Sequence, residues 1–316
     1  MSMRNILIGL GAGMATALLF AGLISGTALA FPLFLISPLP IAIAGLAFGT
    51  LSGVAAAITA SALIGFTIGP IAAGLYFVLF AAPVAWAAHL VGLSRPDEAA
   101  PAGRQWFPLD IVLSRAALAA GIAVVIAGFA LGYDPEALIA ETVKVLQAWL
   151  AQSPSGGGAP TEAEIEPLVR FNIALMPFTS AAMVVGILIL ALWLGARIAR
   201  MSGLLQREWT PLWTVVLPQP AALIFGIAFV ASLIPGVPGQ IAGAIAGATG
   251  FAFALTGFGL LHAVLLGKAA RPFLLFLVYA VSFVILLPLG IMAVVGLADT
   301  ALQYRARRFA ARPGLS

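Results

Sequence analysis

Long runs of apolar residues, separated by short polar stretches, set the pattern of this chain. A helix needs about 20 apolar residues to cross a bilayer. On that measure the runs predict spans near residues 5–29, 33–49, 51–69, 70–92, 109–132, 171–197, 211–234, 239–265 and 273–298. The runs are continuous and do not alternate with polar residues, which indicates helices and not the strands of a transmembrane barrel. The pattern therefore predicts an all-α polytopic membrane protein with eight or nine transmembrane segments.

The region between Pro40 and Pro70 leaves the number of spans open. It is either one long tilted helix or two helices joined by a tight turn at residues 49–52. The first run follows Arg4 and ends near Ala28-Leu29-Ala30, which is similar to a secretory signal with its cleavage site. Because this run is longer than a typical signal core and continues into further spans, we expect an uncleaved first helix.

The charged residues predict which loops face the cytoplasm. Basic residues are concentrated in the stretches 94–106 and 196–208, whereas the connection 133–170 is acidic. Lysine and arginine accumulate on the cytoplasmic side of membrane proteins, so we expect the two basic stretches inside and the acidic connection outside. An N-terminus on the inside then requires an even number of spans, such as four, before residue 93. Four regions result: membrane helices 1–132, an extracytoplasmic connection 133–170, membrane helices 171–298 and a basic interfacial tail 299–316.

The outward connection has a helical pattern of its own. Asp134 can cap a helix whose first residue is Pro135. One face of that helix is apolar, which is typical of a helix lying in the membrane interface. The apolar face consists of Ile139, Val143, Leu146 and Leu150. A glycine-rich linker follows at 153–160, and Thr161 with Glu164 forms a capping box that starts the next helix. The amphipathic helix either closes the outer end of the bundle or acts as a lid over an outward-facing pocket.

Small residues recur at every fourth position in two series. Residues spaced by four share one helix face, and small residues there let two helix backbones approach closely. We therefore predict helix packing through these positions, within the chain or against a partner subunit. The glycines that carry this prediction are Gly45, Gly49, Gly53, Gly239, Gly243 and Gly247.

Polar residues inside the spans are the candidate functional residues, because charge and hydrogen-bonding groups are costly in the membrane. The most unusual position is Pro218-Gln219-Pro220, where a span is interrupted near its first third. Such interruptions are tolerated where they line a cavity or are buried in protein, and they often form transporter sites; a simple proline kink is the alternative. The candidate binding or gating residues are Asn172, Gln219, Pro218, Pro220, Asp110, Arg115 and His262.

The composition narrows the chemistry. Of the 316 residues, 62% are hydrophobic and only 8% are charged, and there is no cysteine. Disulfides and cysteine-ligated metals are therefore excluded. Two histidines near helix ends, no H-E-x-x-H and no phosphate-binding loop predict that the protein is not an enzyme and has no metal or other cofactor. The formal net charge of +4 reflects the orientation of the helices, and we expect no nucleic-acid partner.

Two stretches carry a family resemblance. Residues 38–75 resemble the glycine-notched helices of the substrate-binding S components of energy-coupling-factor transporters. The C-terminal half, with GFGLLHAVLLGK (257–268) and an ending in which G-L-x-D is followed by R-x-R-R, resembles the uncharacterised YybS-like family of bacterial membrane proteins, itself remotely related to S components. Tyr304 stands where an acidic residue would be more usual, and the spans after residue 210 exceed the six-helix S-component plan.

The resemblance implies a multi-pass protein of the bacterial inner membrane. Two functions follow as alternatives: a substrate-binding or transport subunit for a small molecule, or a non-transporting scaffold that organises a membrane or envelope complex. The expected partners are the lipid bilayer, a small-molecule substrate in the first case, and a membrane protein docked through the small-residue faces in either case.

The ending GLADTALQYRARR (296–308) combines one acid with several arginines. Thr300 and Gln303 fit a capping box, with Asp299 adding negative charge at the start of a new helix. This predicts that the chain leaves the membrane at Asp299 and lies flat, with its arginines on anionic headgroups. Counting spans places the tail outside, whereas its charge favours the inside. The conflict is removed if 273–298 folds back, or if one segment between 211 and 265 does not cross.

Overall fold

A computed structural model describes residues 3–100, 103–152, 161–208, 210–285, 287–305 and 307. The α-helices of these residues are α1 (Met3–Ala21), α2 (Ala30–Ile36), α3 (Leu39–Phe48), α4 (Thr50–Thr67), α5 (Pro70–Tyr76), α6 (Ala82–Gly92), α7 (Leu109–Ala130), α8 (Pro135–Ala151), α9 (Glu162–Met201), α10 (Gln219–Ala231), α11 (Val237–Val264), α12 (Arg271–Val284) and α13 (Leu287–Leu302). A short hairpin joins α6 to α7 through strands β1 (Ser94–Pro96) and β2 (Arg104–Trp106). The predicted linker 153–160 lies outside the described residues, as do Ala306 and 308–316 of the tail.

Seven segments in the described part of the chain are long and apolar enough to cross a membrane. They are Met3–Ile24, Ala30–Phe48, Thr50–Thr67, Pro70–Gly92, Leu109–Ala130, Glu162–Met201 and Val237–Val264. Helices α10, α12 and α13 are apolar but shorter. The all-α polytopic architecture is thus confirmed. Four of the seven segments precede residue 93, as a cytoplasmic N-terminus requires.

The region between Pro40 and Pro70 forms two helices, α3 and α4. Gly49 joins them with a φ of 91°, a conformation that favours glycine. Across this turn Gly45 and Gly53 face each other, and a Cβ added to Gly53 would lie 3.0 Å from the Gly45 Cα. The close approach lets the two helices pack as a hairpin. Helix α1 packs against this hairpin through Gly9 and Gly13.

Helix α11 lies at the centre of the C-terminal half. It packs against α7, α9, α10 and α13, and most of its residues are buried. Its glycines make these contacts possible, since a Cβ at Gly247 would overlap the Phe178 carbonyl oxygen and one at Gly257 would overlap that of Met292. These small-residue faces are therefore covered by helices of the same chain.

The helix in the acidic connection packs on another helix of the chain, which differs from the predicted interfacial helix. Asp134 does cap α8, accepting from the Glu136 and Ala137 amides at 3.1 and 3.3 Å. However, Ile139 and Val143 pack against Ile165, Val169 and Ile173 of α9 and not against lipid. The 40 residues of α9 span about 60 Å, twice the hydrocarbon thickness, so α8 covers an extension of a membrane helix. The predicted boundary at residue 171 therefore falls inside one continuous helix.

The predicted last span, 273–298, is two helices. The chain leaves helical geometry at Ile285 and resumes at Leu287, so neither α12 nor α13 reaches the length of a span. Two contacts from this region reach one part of α11: Tyr279 of α12 stacks on Phe258, and Arg305, just after α13, donates to the Thr256 carbonyl. This arrangement favours the alternative in which the segment folds back.

If the segment folds back, we expect Arg307 on the cytoplasmic side, as the charge of the ending predicts. The chain has no cysteine, so a single Arg307→Cys substitution at an exposed position is a clean probe. We expect no labelling of intact cells by an impermeant maleimide, and labelling after permeabilisation. Gln152→Cys on the predicted outer side should be labelled in intact cells, whereas Arg104→Cys in the inner hairpin should not. Labelling of Arg307→Cys from outside would contradict the folded-back arrangement.

Candidate functional site

A buried ion pair stands at the end of α13. The Arg305 and Asp299 side chains are 3% and 0% exposed, and Arg305 Nε donates to Asp299 Oδ2 at 2.5 Å. The Arg305 backbone N–H also donates to Asp299 Oδ1 at 3.0 Å. This contact closes a short loop that passes through Gln303 in the left-handed region, at φ 51°. The pair is therefore held by both backbone and side-chain geometry.

Arg305 also ties three parts of the chain together. Its Nη1 donates to the Trp213 carbonyl at 2.6 Å and its Nη2 to the Thr256 carbonyl at 3.0 Å. Trp213 belongs to a 3-10 turn, Leu212–Thr214, that packs on α11. A buried arginine is stable only when its charge is paired and its donors are satisfied, and both conditions hold here.

These residues overturn the prediction for the tail. Asp299 is not the cap of a new helix, because it lies inside α13, which continues to Leu302. Arg305 is buried and does not contact headgroups. The first residues of the predicted tail therefore continue α13 to Leu302 and contact α11 through Arg305.

A cleft of about 300 Å³ opens beside the ion pair. Its walls come from the chain before α10 and from the end of α13: Val216, Leu217, Pro218, Gln219, Asp299, Thr300, Gln303 and Arg305. Known ligand pockets begin at about this volume. Among the described residues, the buried Thr300 hydroxyl has no hydrogen-bond partner. A buried hydroxyl of this kind is costly unless a water or a ligand satisfies it.

Pro218 and Gln219 are the predicted site residues that the structure brings to this cleft. The chain before them is extended, and α10 starts at Gln219 with Pro218 as its N-cap and Pro220 within its first turn. The motif is therefore a helix start and not a kink in a continuous span. Helix α10 has 13 residues and is about 20 Å long, which makes it a half-helix with its N-terminus at the cleft.

The other predicted site residues lie elsewhere. Asn172 is exposed and donates to the Leu168 carbonyl of its own helix at 2.8 Å. His262 Nε2 lies 3.0 Å from the Tyr279 hydroxyl. Arg115 stands over the Phe107 ring, 5.2 Å from its centroid, and Asp110 lies in the first turn of α7. In the described part of the chain, Asp110 and Arg115 form no ion pair.

The polar groups of the cleft can hold a ligand through hydrogen bonds. The cleft offers an amide, a hydroxyl and a charge-balanced pair, a set that can both donate and accept hydrogen bonds. Within the described residues, no three His, Asp or Glu side chains come together as metal ligands would.

The fold and cleft define an α-helical, multi-pass membrane protein with a half-helix at an internal polar site. Residues 14–300 match the family of predicted membrane proteins DUF2232. The chain belongs to this family. Comparison with curated proteins and with solved structures gives no match.

Proposed function

We propose that this protein is a substrate-binding or transport subunit for a small molecule, located in the bacterial inner membrane. The observation that carries the proposal is the cleft in which Gln219, at the start of a half-helix, lies with the buried Asp299–Arg305 pair. Discontinuous helices whose ends meet at a polar site are typical of transporters. The resemblance to S components points to the same class.

The lining suggests the kind of ligand. Asp299 and Arg305 neutralise each other, so the cleft presents polar groups without a net charge. The Gln219 amide and the Thr300 hydroxyl each donate and accept. The proposed substrate is therefore a small polar molecule that is uncharged or zwitterionic. No metal, cofactor or catalytic residue enters the proposal.

The scaffold alternative relied on small-residue faces that dock a partner. In the structure Gly45, Gly53 and Gly247 of these faces contact helices of this chain, whereas a Cβ at Gly49 would meet nothing within 4 Å. Most of the surface that a scaffold would use is therefore already covered. This observation favours the binding function.

Ligand-dependent stability tests the proposal. The purified protein is heated in mild detergent with each member of a panel of small polar metabolites. A ligand at 100 times its Kd adds about 2.7 kcal/mol to the free energy of unfolding. We expect Gln219→Ala and Thr300→Val to remove this gain, and Thr300→Val without ligand to be as stable as the wild type or more so.

Gln240→Ala is the matched control, because Gln240 lies in the first turn of the neighbouring helix α11 and outside the cleft. It should keep the ligand effect. The proposal would fail if no panel member stabilised the protein and deletion of the gene left uptake of the panel unchanged.

A further inference from the structure

A second cleft, of about 390 Å³, lies between α6 and α7. It is lined by residues 93–95 and 105–108, which include both strands of the hairpin. The candidate span Pro70–Gly92 ends at this cleft, and the candidate span Leu109–Ala130 begins at it. It therefore lies at the membrane boundary, on the side that the basic stretches predict to be cytoplasmic.

Two buried N–H donors, one in the lining of this cleft and one next to it, have no acceptor among the described residues. They are the indole Nε1 of Trp106, which lines the cleft, and Nε of Arg207, which contacts the lining residue Phe107. Both groups can only donate, so only an acceptor can satisfy them. Arg207 is held beside the cleft because its Nη1 donates to the Phe107 carbonyl at 2.7 Å. Burial lowers the pKa of Arg207, a desolvation cost that a bound anion would offset.

The charged side chain in the lining of the cleft is basic. Arg95 lines it and is oriented by a 2.6 Å hydrogen bond from its Nε to Gln105 Oε1. Arg115 stands over the ring of Phe107, which forms part of the wall. No described acidic residue lines the cleft, since Asp97 and Asp110 both lie outside it. An anionic acceptor is the ligand that fits.

We propose that this cleft binds the phosphate of an anionic phospholipid headgroup. Arginine matches phosphate oxygens with two parallel N–H bonds, and the free indole N–H supplies a further donor. Leu93 and Phe107 give the wall apolar surface that suits the glycerol and acyl region of a lipid more than a soluble ion. Tryptophan at a membrane–water boundary is a typical interfacial anchor, and basic pockets on this side of membrane proteins bind anionic headgroups.

The test measures retention of lipid by the full-length protein. Delipidated protein is titrated with phosphatidylglycerol or phosphatidylcholine and examined by native mass spectrometry. We expect selective retention of phosphatidylglycerol, weakened about tenfold in Trp106→Phe and in Arg207→Lys, each of which removes one charge-assisted donor. Both variants conserve size or charge. Arg104→Ala, which removes an exposed charge of the same hairpin outside the cleft, should retain the lipid.

Three results would overturn the proposal. One is equal retention of both lipids by the wild type. Another is an Arg104→Ala variant that loses as much affinity as Arg207→Lys, which would indicate a general surface charge. The third is thermal stabilisation by inorganic phosphate equal to that by phosphatidylglycerol, which would assign the cleft to a soluble anion. Because neither Gln219 nor Thr300 lines this cleft, failure here leaves the small-molecule proposal standing.

Discussion

Replacing Arg305 with alanine is expected to lower the free energy of unfolding by about 3–5 kcal/mol, the range found when one partner of a buried ion pair is removed. The substitution leaves the Asp299 carboxylate buried without its counter-charge. It also leaves the Trp213 and Thr256 carbonyls without the guanidinium that they share. Thermal unfolding in mild detergent, followed by intrinsic fluorescence, measures the loss.

Two further variants separate the ion pair from other effects of the substitution. Arg307→Ala removes an arginine two residues away that is exposed, and it should change stability by less than about 0.5 kcal/mol. The double variant Asp299→Leu/Arg305→Met replaces both charges by apolar side chains and should recover most of the lost stability. Equal losses in Arg305→Ala and Arg307→Ala would contradict the buried pair.

The ion pair also shows what the sequence could not predict. Thr300 and Gln303 have the spacing of a capping box, and Asp299 precedes them, so local rules favour a helix start. The structure instead ends a helix there, because Gln303 adopts a left-handed conformation and Arg305 returns to Asp299. The acceptors that stabilise this return are on residues far away in sequence, Trp213 and Thr256. Spacing alone does not contain that information.

The position of a helix could be predicted from the length and composition of its apolar run, whereas the helix that packs against it could not. The apolar run of α7 gave its span almost to the residue, since 109–132 became Leu109–Ala130. The apolar face of α8 was also visible in the sequence. What covers it was not, because lipid and a neighbouring helix satisfy the same hydrophobic pattern; in the structure α9 covers it.

Only one half of the candidate site could be predicted from the sequence. Gln219 stood out because two prolines flank a polar residue in an apolar run. Thr300 and Arg305 did not, since a buried hydroxyl and a buried arginine look like surface residues until the tertiary contacts are known. The cleft arises where these two halves meet.

The second large loss of stability is expected from a substitution in the glycine series of α11. The sequence treats Gly243 and Gly247 alike, yet their surroundings differ. A Cβ at Gly247 would overlap the Phe178 backbone carbonyl, which cannot move without shifting α9, whereas a Cβ at Gly243 would lie 3.9 Å from the Ser232 Cβ, an ordinary contact. We expect Gly247→Ala to destabilise the protein by about 3 kcal/mol, at the upper end of typical overpacking.

Gly243→Ala is the matched control in the same helix. It adds the same methyl group to a helix interior, where alanine is favoured over glycine by about 1 kcal/mol, so stability should be unchanged or higher. Thermal unfolding of both variants in one detergent decides the comparison. Equal destabilisation would mean that the methyl group acts through the helix itself, whereas a loss confined to Gly247→Ala places the cost at the contact between α11 and α9.

The contact between α11 and α9 also bears on the cleft. Helix α11 carries part of the ion-pair network through Thr256, and this contact joins it to the long helix α9. Ligand binding at the Gln219 cleft should therefore weaken in Gly247→Ala and stay unchanged in Gly243→Ala.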